Sequence, residues 1–195
     1  DFIKTGVYNK NRKFHLTDSP SMDILISSNL ERLLYFVSKD TQLVASLMKQ
    51  LNTEGFYTVP AELKEKMDAE FWAGFCDDEK AKATIAKVFR EQGYLCDTHT
   101  ATGWAVAEDY VNQTGDNRPM VVLSTASPYK FPGPVLKALA VEAGKDEFAD
   151  AARLNEVTGV AIPENLAKLQ QKPILHKDRI ARDQIIDYVM KKVQE

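Results

Sequence analysis

The apolar run at residues 120–123, which ends abruptly at the hydroxyls of Ser124 and Thr125, constrains the fold of this chain most. An apolar run without alternation is typical of a strand that is covered on both faces, as in a parallel sheet. In open α/β sheets, ligands bind just beyond the carboxyl ends of such strands. The run therefore predicts a parallel strand over residues 119–125, with Ser124 and Thr125 facing a small molecule. The alternative is that both hydroxyls only satisfy the turn that follows.

Short apolar segments alternate with amphipathic ones along the chain, which predicts an α/β fold. We expect strands at residues 71–76, 94–96 and 119–125. Apolar residues at helical spacing predict helices that include residues 30–37, 44–51, 63–67, 81–89 and 101–111, and the pattern stays helical almost throughout after Pro132. The first ~20 residues are polar and read as a solvated loop. The expected architecture is a partial open parallel sheet wrapped by helices, with a helix-rich C-terminal half, in one compact unit over residues 1–195.

Composition excludes several classes of protein. A formal net charge of -3 gives no basic field for a nucleic acid. No apolar run approaches the ~18 to 20 residues that cross a bilayer, so we expect no membrane partner. Only Cys76 and Cys96 are present, which favours a reducing cytoplasm. The three histidines lie far apart in the sequence, so no metal site is expected, and no P-loop or GxSxG motif is found.

The segment from Asp97 to Thr100 lies between a predicted strand and a predicted helix. Free backbone N–H groups at such a junction favour an anion or a polar ligand, although helix capping explains the same residue types equally well. His99 lies in this segment and could serve as an acid or base near neutral pH. A lone histidine is more often a polar packing residue, so both interpretations stay open.

Three strings in this chain together resemble bacterial threonine synthase. They are SMDILISSNLERLL at residues 21–34, DTHTA at 97–101 and STASPYKF at 124–131, and they occur in the family's order. The opening DFIKTG resembles the middle of that enzyme. The resemblance implies that the chain is a C-terminal portion of a threonine synthase, with the tryptophan-synthase-β-like fold of pyridoxal phosphate enzymes.

The family converts O-phosphohomoserine and water into threonine and phosphate with pyridoxal phosphate, which acts as an electron sink. By resemblance, the Schiff-base lysine and the phosphate-binding loop belong upstream of Asp1. We therefore expect no catalytic residue in this chain and no turnover by the chain alone. Its expected partners are O-phosphohomoserine, the N-terminal part of the same enzyme and, through exposed apolar helical faces, a second copy of itself.

The resemblance also assigns roles to individual residues. Thr125, with Ser124 beside it, matches the position that faces the pyridine nitrogen of the cofactor. The expected residues of the substrate cleft are His99, Thr100, Asn29 and Arg32. Arg32 could grip a phosphate with two hydrogen bonds, and the alternative is that Asn29 caps a helix while Arg32 supports its packing. The family more often has histidine where this chain has Ser127, and a common form has proline in place of Thr98.

Two other functions remain open at this stage. The chain could be an interaction or regulatory module without catalysis that keeps the fold of an enzyme lobe, and its polar N-terminus is compatible with that. It could also serve a related pyridoxal phosphate lyase such as threonine dehydratase. The SSNxER string at residues 27–32 argues against the second alternative.

Overall fold

Short polar side chains begin the long helices, as the sequence predicts. In the computed structural model, which describes residues 1–194, Asp40 accepts hydrogen bonds from the N–H groups of Gln42 and Leu43, both at 2.9 Å. Asp77 accepts from the N–H of Lys80 at 2.8 Å. These bonds satisfy N–H groups that have no partner within the helix. Gly93 ends the helix that Asp77 begins, with a φ of 64°, a backbone conformation that glycine adopts readily.

The described chain contains ten helices and two short strands. In chain order they are α1 (Phe2–Thr5), β1 (Val7–Asn9), α2 (Ser28–Ser38), α3 (Thr41–Thr53), β2 (Phe56–Thr58), α4 (Ala61–Glu70), α5 (Asp78–Gln92), α6 (Thr98–Thr114), α7 (Pro132–Ala138), α8 (Glu147–Thr158), α9 (Glu164–Ala167) and α10 (Ile185–Gln194). Single 3-10 turns lie at Pro20–Met22, Pro128–Lys130, Leu169–Gln171 and Arg182–Gln184. All of the helices expected before Pro132 are present.

The two strands pair antiparallel, with Tyr8 opposite Tyr57. The rings of these tyrosines stack with centroids 5.4 Å apart, and the ring of Phe2 meets both edge-on. The expectation of a solvated loop over the first ~20 residues is therefore wrong for residues 2–9. Three-residue strands show too little alternation to be recognised, and their pairing partners lie about 50 residues apart in the chain.

A first apolar core joins this small sheet to α2, α3 and α4. Its buried members are Tyr8, Leu34, Leu47, Leu51, Tyr57, Val59, Leu63 and Met67. The hydroxyl of Tyr8 extends beyond this core, where it donates to the carbonyl of Leu25 at 2.9 Å and accepts from the N–H of Ser27 at 2.8 Å. Tyr8 therefore links the core to the end of the long loop that precedes α2.

A second layer is helical. α5 packs on α6 and on α7, and α7 packs on α8. The apolar side chains of these helices that are fully buried include Ile85, Val88, Val135, Leu136 and Leu154. The start of α6 is also fully enclosed, because Asp97 and Thr98 are both 0% exposed. This layer therefore encloses the 97–100 segment.

The α/β class with a helix-rich C-terminal half is confirmed, but the predicted parallel pairing is not. Within residues 1–194 the sheet is two-stranded and antiparallel. The segments expected as strands at 71–76, 94–96 and 119–125 form no ladder. Val121 and Leu123 are 81% and 76% exposed, so one face of this segment is open to solvent. An isolated run cannot become a strand without a neighbour to accept its backbone hydrogen bonds.

The chain divides into two compact units, Asp1–Ile162 and the residues from Pro163 onward, where the sequence indicates one. The first contains both the apolar core around the small sheet and the helical layer. The second contains α9 and α10, and none of its described side chains is buried. The apolar residues of α10 are exposed, for example Ile186 at 76% and Val193 at 77%. The described part of this unit therefore has no enclosed apolar core.

Candidate functional site

The carboxylate of Asp97 organises the start of α6. Asp97 Oδ1 accepts from the backbone N–H of His99 at 2.9 Å and lies 3.0 Å from His99 Nδ1. Asp97 Oδ2 accepts a hydrogen bond from Thr100 Oγ1. Asp97, His99 and Thr100 are all buried. Buried charge is costly unless it is hydrogen-bonded, and here both carboxylate oxygens are satisfied within a few residues of the same helix.

The other ring nitrogen of His99 is also occupied. His99 Nε2 lies 3.1 Å from the backbone N of Ser21, which can only donate. Nε2 must therefore be the acceptor. The neutral ring then carries its proton on Nδ1, which donates a hydrogen bond to Asp97. The ring of Phe131 packs against the imidazole with centroids 4.8 Å apart. With both nitrogens engaged and 6% exposure, His99 has no free ring nitrogen to act on a ligand in this conformation.

Ser124 lies at the end of the extended segment and joins this network. Its Oγ accepts from Tyr94 Oη at 2.8 Å and lies 3.4 Å from Thr100 Oγ1. The single proton of Thr100 goes to Asp97, which is the closer partner and the stronger acceptor. The hydroxyl proton of Ser124 is therefore the one that can be donated, either to Thr100 Oγ1 or to a ligand. The structure thus brings Ser124 together with Thr100, two residues that the sequence places 24 positions apart.

Thr125 follows in the chain and is exposed. Its hydroxyl makes no hydrogen bond with any residue in the described range 1–194. Ser127, which stands where the family more often has histidine, accepts from the N–H of Tyr129 at 3.3 Å and begins the 3-10 turn. Ser127 is therefore occupied by the turn, whereas the hydroxyl of Thr125 is open to a ligand.

Asn29 and Arg32 lie in the first turns of α2 and are both exposed. Asn29 Oδ1 accepts from Arg32 Nη2. Neither residue bonds to residues 97–100 or 124–125 in the described chain, so the structure does not join them to the hydroxyl cluster. The N-cap of α2 is Ser27, which corrects the alternative that Asn29 caps this helix.

Burial raises the pKa of both thiols. The pKa of Cys96 is raised to about 11, mainly by burial and then by the charge of Asp97. Burial likewise raises the pKa of Cys76. Since the thiolate is the reactive form, neither cysteine is activated as a nucleophile. Both are free of disulfides. Among residues 1–194, no group of three or more histidine, cysteine or acidic side chains could hold a metal ion.

Sequence reasoning missed two members of the site. Tyr94 donates to Ser124, and Ser21 supplies the N–H that His99 accepts. No local signal marks either residue, because each acts through a partner that is distant in the chain. The arrangement offers a ligand the neutral hydroxyls of Ser124 and Thr125. The hydrogen bonds of the buried Asp97 carboxylate are already satisfied within the protein.

No helix in residues 1–194 combines the length and apolar character that crossing a membrane requires.

Comparison with protein families gives one matching family model, described as the C-terminal part of threonine synthase, over residues 100–179. Among curated proteins, the chain is 39% identical over 144 residues to threonine synthase-like 1 of Macaca fascicularis. That match covers 73% of this chain and 19% of the relative. The chain is 35% identical over 181 residues to threonine synthase of Pseudomonas aeruginosa, covering 91% of this chain and 38% of the relative.

Two solved structures have the same fold. Threonine synthase from yeast matches with a TM-score of 0.78 and 28% identity, over 100% of this chain and 39% of that one. Threonine synthase from Brucella melitensis, determined with pyridoxal phosphate bound, matches with a TM-score of 0.71 and 35% identity, over 88% of this chain and 33% of that one. The chain therefore spans about a fifth to two fifths of the length of these relatives. It belongs to the threonine synthase family and corresponds to the C-terminal portion of its members.

Proposed function

We propose that this chain supplies the hydroxyl wall of a pyridoxal phosphate site in a threonine synthase that converts O-phosphohomoserine and water into threonine and phosphate. The observation that carries the proposal is the exposed pair Ser124–Thr125 at the end of an extended segment, in a chain of this family. Ser124 accepts a hydrogen bond from Tyr94, and the hydroxyl of Thr125 has no partner among residues 1–194.

The residues present fit the pyridine side of this cofactor. A hydroxyl can donate to an unprotonated ring nitrogen or accept from a protonated one, so Thr125 suits either state. When bound, pyridoxal phosphate supplies an electron sink for the substrate's reacting carbons. A carboxylate at this position would favour the protonated ring, and Asp97 does not take that role because His99 and Thr100 already occupy its oxygens.

The substrate side of the proposal rests on Arg32. Its guanidinium is exposed on α2 and held by Asn29, which leaves further N–H donors for a phosphate. We propose that Arg32 and Asn29 line the cleft near the phosphate of O-phosphohomoserine. His99 and Thr100 then contribute by holding the cleft wall in place, since His99 bonds to Asp97 and Ser21 and Thr100 bonds to Asp97.

The proposed partner is the N-terminal part of a threonine synthase, which would carry the Schiff-base lysine and the phosphate-binding loop. Two features support this. The matched relatives are longer than this chain, and the segment at residues 119–125 has an apolar face but no neighbouring strand. A strand from the partner would pair with the backbone of residues 119–125, and elements packed on the face of the resulting sheet would cover Val121 and Leu123. The two free thiols suit the reducing cytoplasm that we propose as its location.

The experiment is a complementation assay. The chain is co-expressed with the N-terminal portion of the Pseudomonas aeruginosa threonine synthase, and release of inorganic phosphate from O-phosphohomoserine is measured. The chain alone should release none, and the pair should release phosphate in the presence of pyridoxal phosphate. Thr125→Val, which keeps the shape and removes the hydroxyl, should lower the rate at least about tenfold. Ser46→Ala, on the exposed face of α3, is the matched control and should leave the rate unchanged.

Phosphate release by the chain alone would contradict the proposal, and so would a complemented rate that Thr125→Val does not change. Production of 2-oxobutanoate from threonine by the same pair would indicate dehydratase chemistry instead. A pair that assembles and releases neither product would favour the non-catalytic module.

A further inference from the structure

A braced loop at residues 17–24, here called the strap, precedes α2. Asp23 accepts from both the N–H and the hydroxyl of Thr17, at 2.8 and 2.7 Å. Thr17 Oγ1 accepts in turn from the N–H of Ser19 at 3.1 Å. These bonds close the strap on itself. Because its two ends are tied together, the strap can be displaced as one piece.

Within residues 1–194, two hydrogen bonds attach the strap to the helical layer. The N–H of Asp18 donates to Asp78 Oδ1, at the start of α5, at 3.0 Å. The N–H of Ser21 donates to His99 Nε2, in the first turn of α6, at 3.1 Å. Two backbone N–H groups of the strap therefore bond to the helical layer, and His99 accepts from one of them.

A cavity of about 480 Å³ separates the strap from the segment that leads into α5. Thr17, Met22 and Ile24 line it on the strap side, and Phe75 and Cys76 line it on the other. Cys76 is half-buried in this position. If the strap lifts, the thiol of Cys76 becomes more accessible to reagents in solution.

His99 is suited to hold the strap because its proton is fixed. Asp97 is 0% exposed and keeps the imidazole proton on Nδ1, which leaves the lone pair of Nε2 for Ser21. The ring of Phe131 restricts the imidazole from one side. A ring turned over by 180° would present carbon atoms to both partners, so the orientation with Nε2 toward Ser21 is the one that satisfies them.

We propose that His99 is a positioning residue that acts through the Ser21 N–H to hold the strap closed over the cavity beside Cys76. This inference stands on the geometry of the first unit and does not rest on the proposed function. In this proposal the imidazole holds a loop in position by a hydrogen bond and does not transfer a proton to a substrate.

The test measures the alkylation rate of Cys76 by iodoacetamide at pH 8, mapped by peptide mass spectrometry. His99→Leu removes the acceptor and should raise the rate about three- to tenfold, the range expected when one hydrogen bond is lost. His99→Gln places an amide oxygen near the position of Nε2 and should restore most of the protection. His176→Leu, at an exposed histidine of the second unit, is the matched control and should leave the rate unchanged.

Cys96 is the internal control for unfolding, because it is 0% exposed and reacts only when the layer opens. Faster labelling of Cys76 with Cys96 still protected supports the proposal. Equal labelling of Cys76 in the original chain and in His99→Leu would overturn it.

A measurement on the unsubstituted chain covers the case in which His99→Leu fails to fold. ¹⁵N NMR of the imidazole should show Nδ1 protonated and Nε2 bare, and the Ser21 amide should exchange slowly with solvent. The opposite tautomer, or a fast-exchanging Ser21 amide, would overturn the proposal irrespective of the variants.

Discussion

Replacing Asp97 with alanine should destabilise the first unit far more than removal of an ordinary helix cap. Three donors lose their acceptor together: the backbone N–H of His99, its Nδ1–H and the hydroxyl of Thr100. The lost cap costs about 1 kcal/mol. Each of the two side-chain bonds to a charged acceptor contributes about 1.5 kcal/mol, and the donors left behind are buried. The total loss should be about 4 kcal/mol.

The matched control is Asp146→Ala at the start of α8. Asp146 also caps a helix with two backbone bonds, to Phe148 at 2.8 Å and Ala149 at 3.1 Å, but its side chain is exposed and supports no buried network. This change should cost about 1 kcal/mol. The difference of about 3 kcal/mol between the two substitutions isolates the buried bonds from the capping effect.

Urea unfolding followed by tryptophan fluorescence measures both variants. Trp72 and Trp104 lie in the first unit, so the signal reports the free energy of unfolding of the part that contains both aspartates. If Asp97→Ala loses no more stability than Asp146→Ala, the buried network has no net energetic value and the reasoning above is refuted. Asp97→Asn retains the cap and should fall between the two.

Three further predictions concern the first core. Tyr8→Phe leaves the N–H of Ser27 without its acceptor and should lower the free energy of unfolding by about 1–2 kcal/mol. Hydrogen exchange at the Ser27 amide should become faster, and unchanged exchange would contradict this. Leu34→Ala, at a 0% exposed position, should lower the free energy of unfolding in urea by about 3 kcal/mol. Leu175→Ala, at 78% exposure, should lower it by less than about 0.5 kcal/mol. Equal losses would refute the assignment of the core. Burial raises the pKa of Tyr57 above its usual value of 10.0, so its contribution to stability is complete below pH 10 and is lost as the pH rises further. Tyr57→Phe should flatten the decline of stability above pH 10, and a decline of the same steepness in both proteins would contradict this.

The helices could be predicted from the sequence because their signals are local. Asp40, Asp77 and Asp97 each cap a helix within three residues of their own position, and the apolar stripes that follow have the helical period. The strands could not be predicted in the same way. Pairing joins β1 to β2 across nearly 50 residues. The segment at 119–125 has the residue types of a buried strand but pairs with no strand in the described chain.

The candidate site shows the same division. Ser124 and Thr125 stand out in the sequence because they end an apolar run. The part taken by His99 depends on a backbone N–H 78 residues earlier, which no local pattern reveals. The sequence thus predicts which residue types lie at the start of α6. Which hydrogen bonds each of them makes depends on long-range contacts.

The second unit, from Pro163 onward, encloses none of its described side chains. Substitutions at exposed positions usually change the free energy of unfolding little, so selection for folding does not require Ile186 or Val193 to stay apolar. If homologues nevertheless keep these positions apolar across long evolutionary distances, the constraint must come from a contact of α10 beyond its own unit.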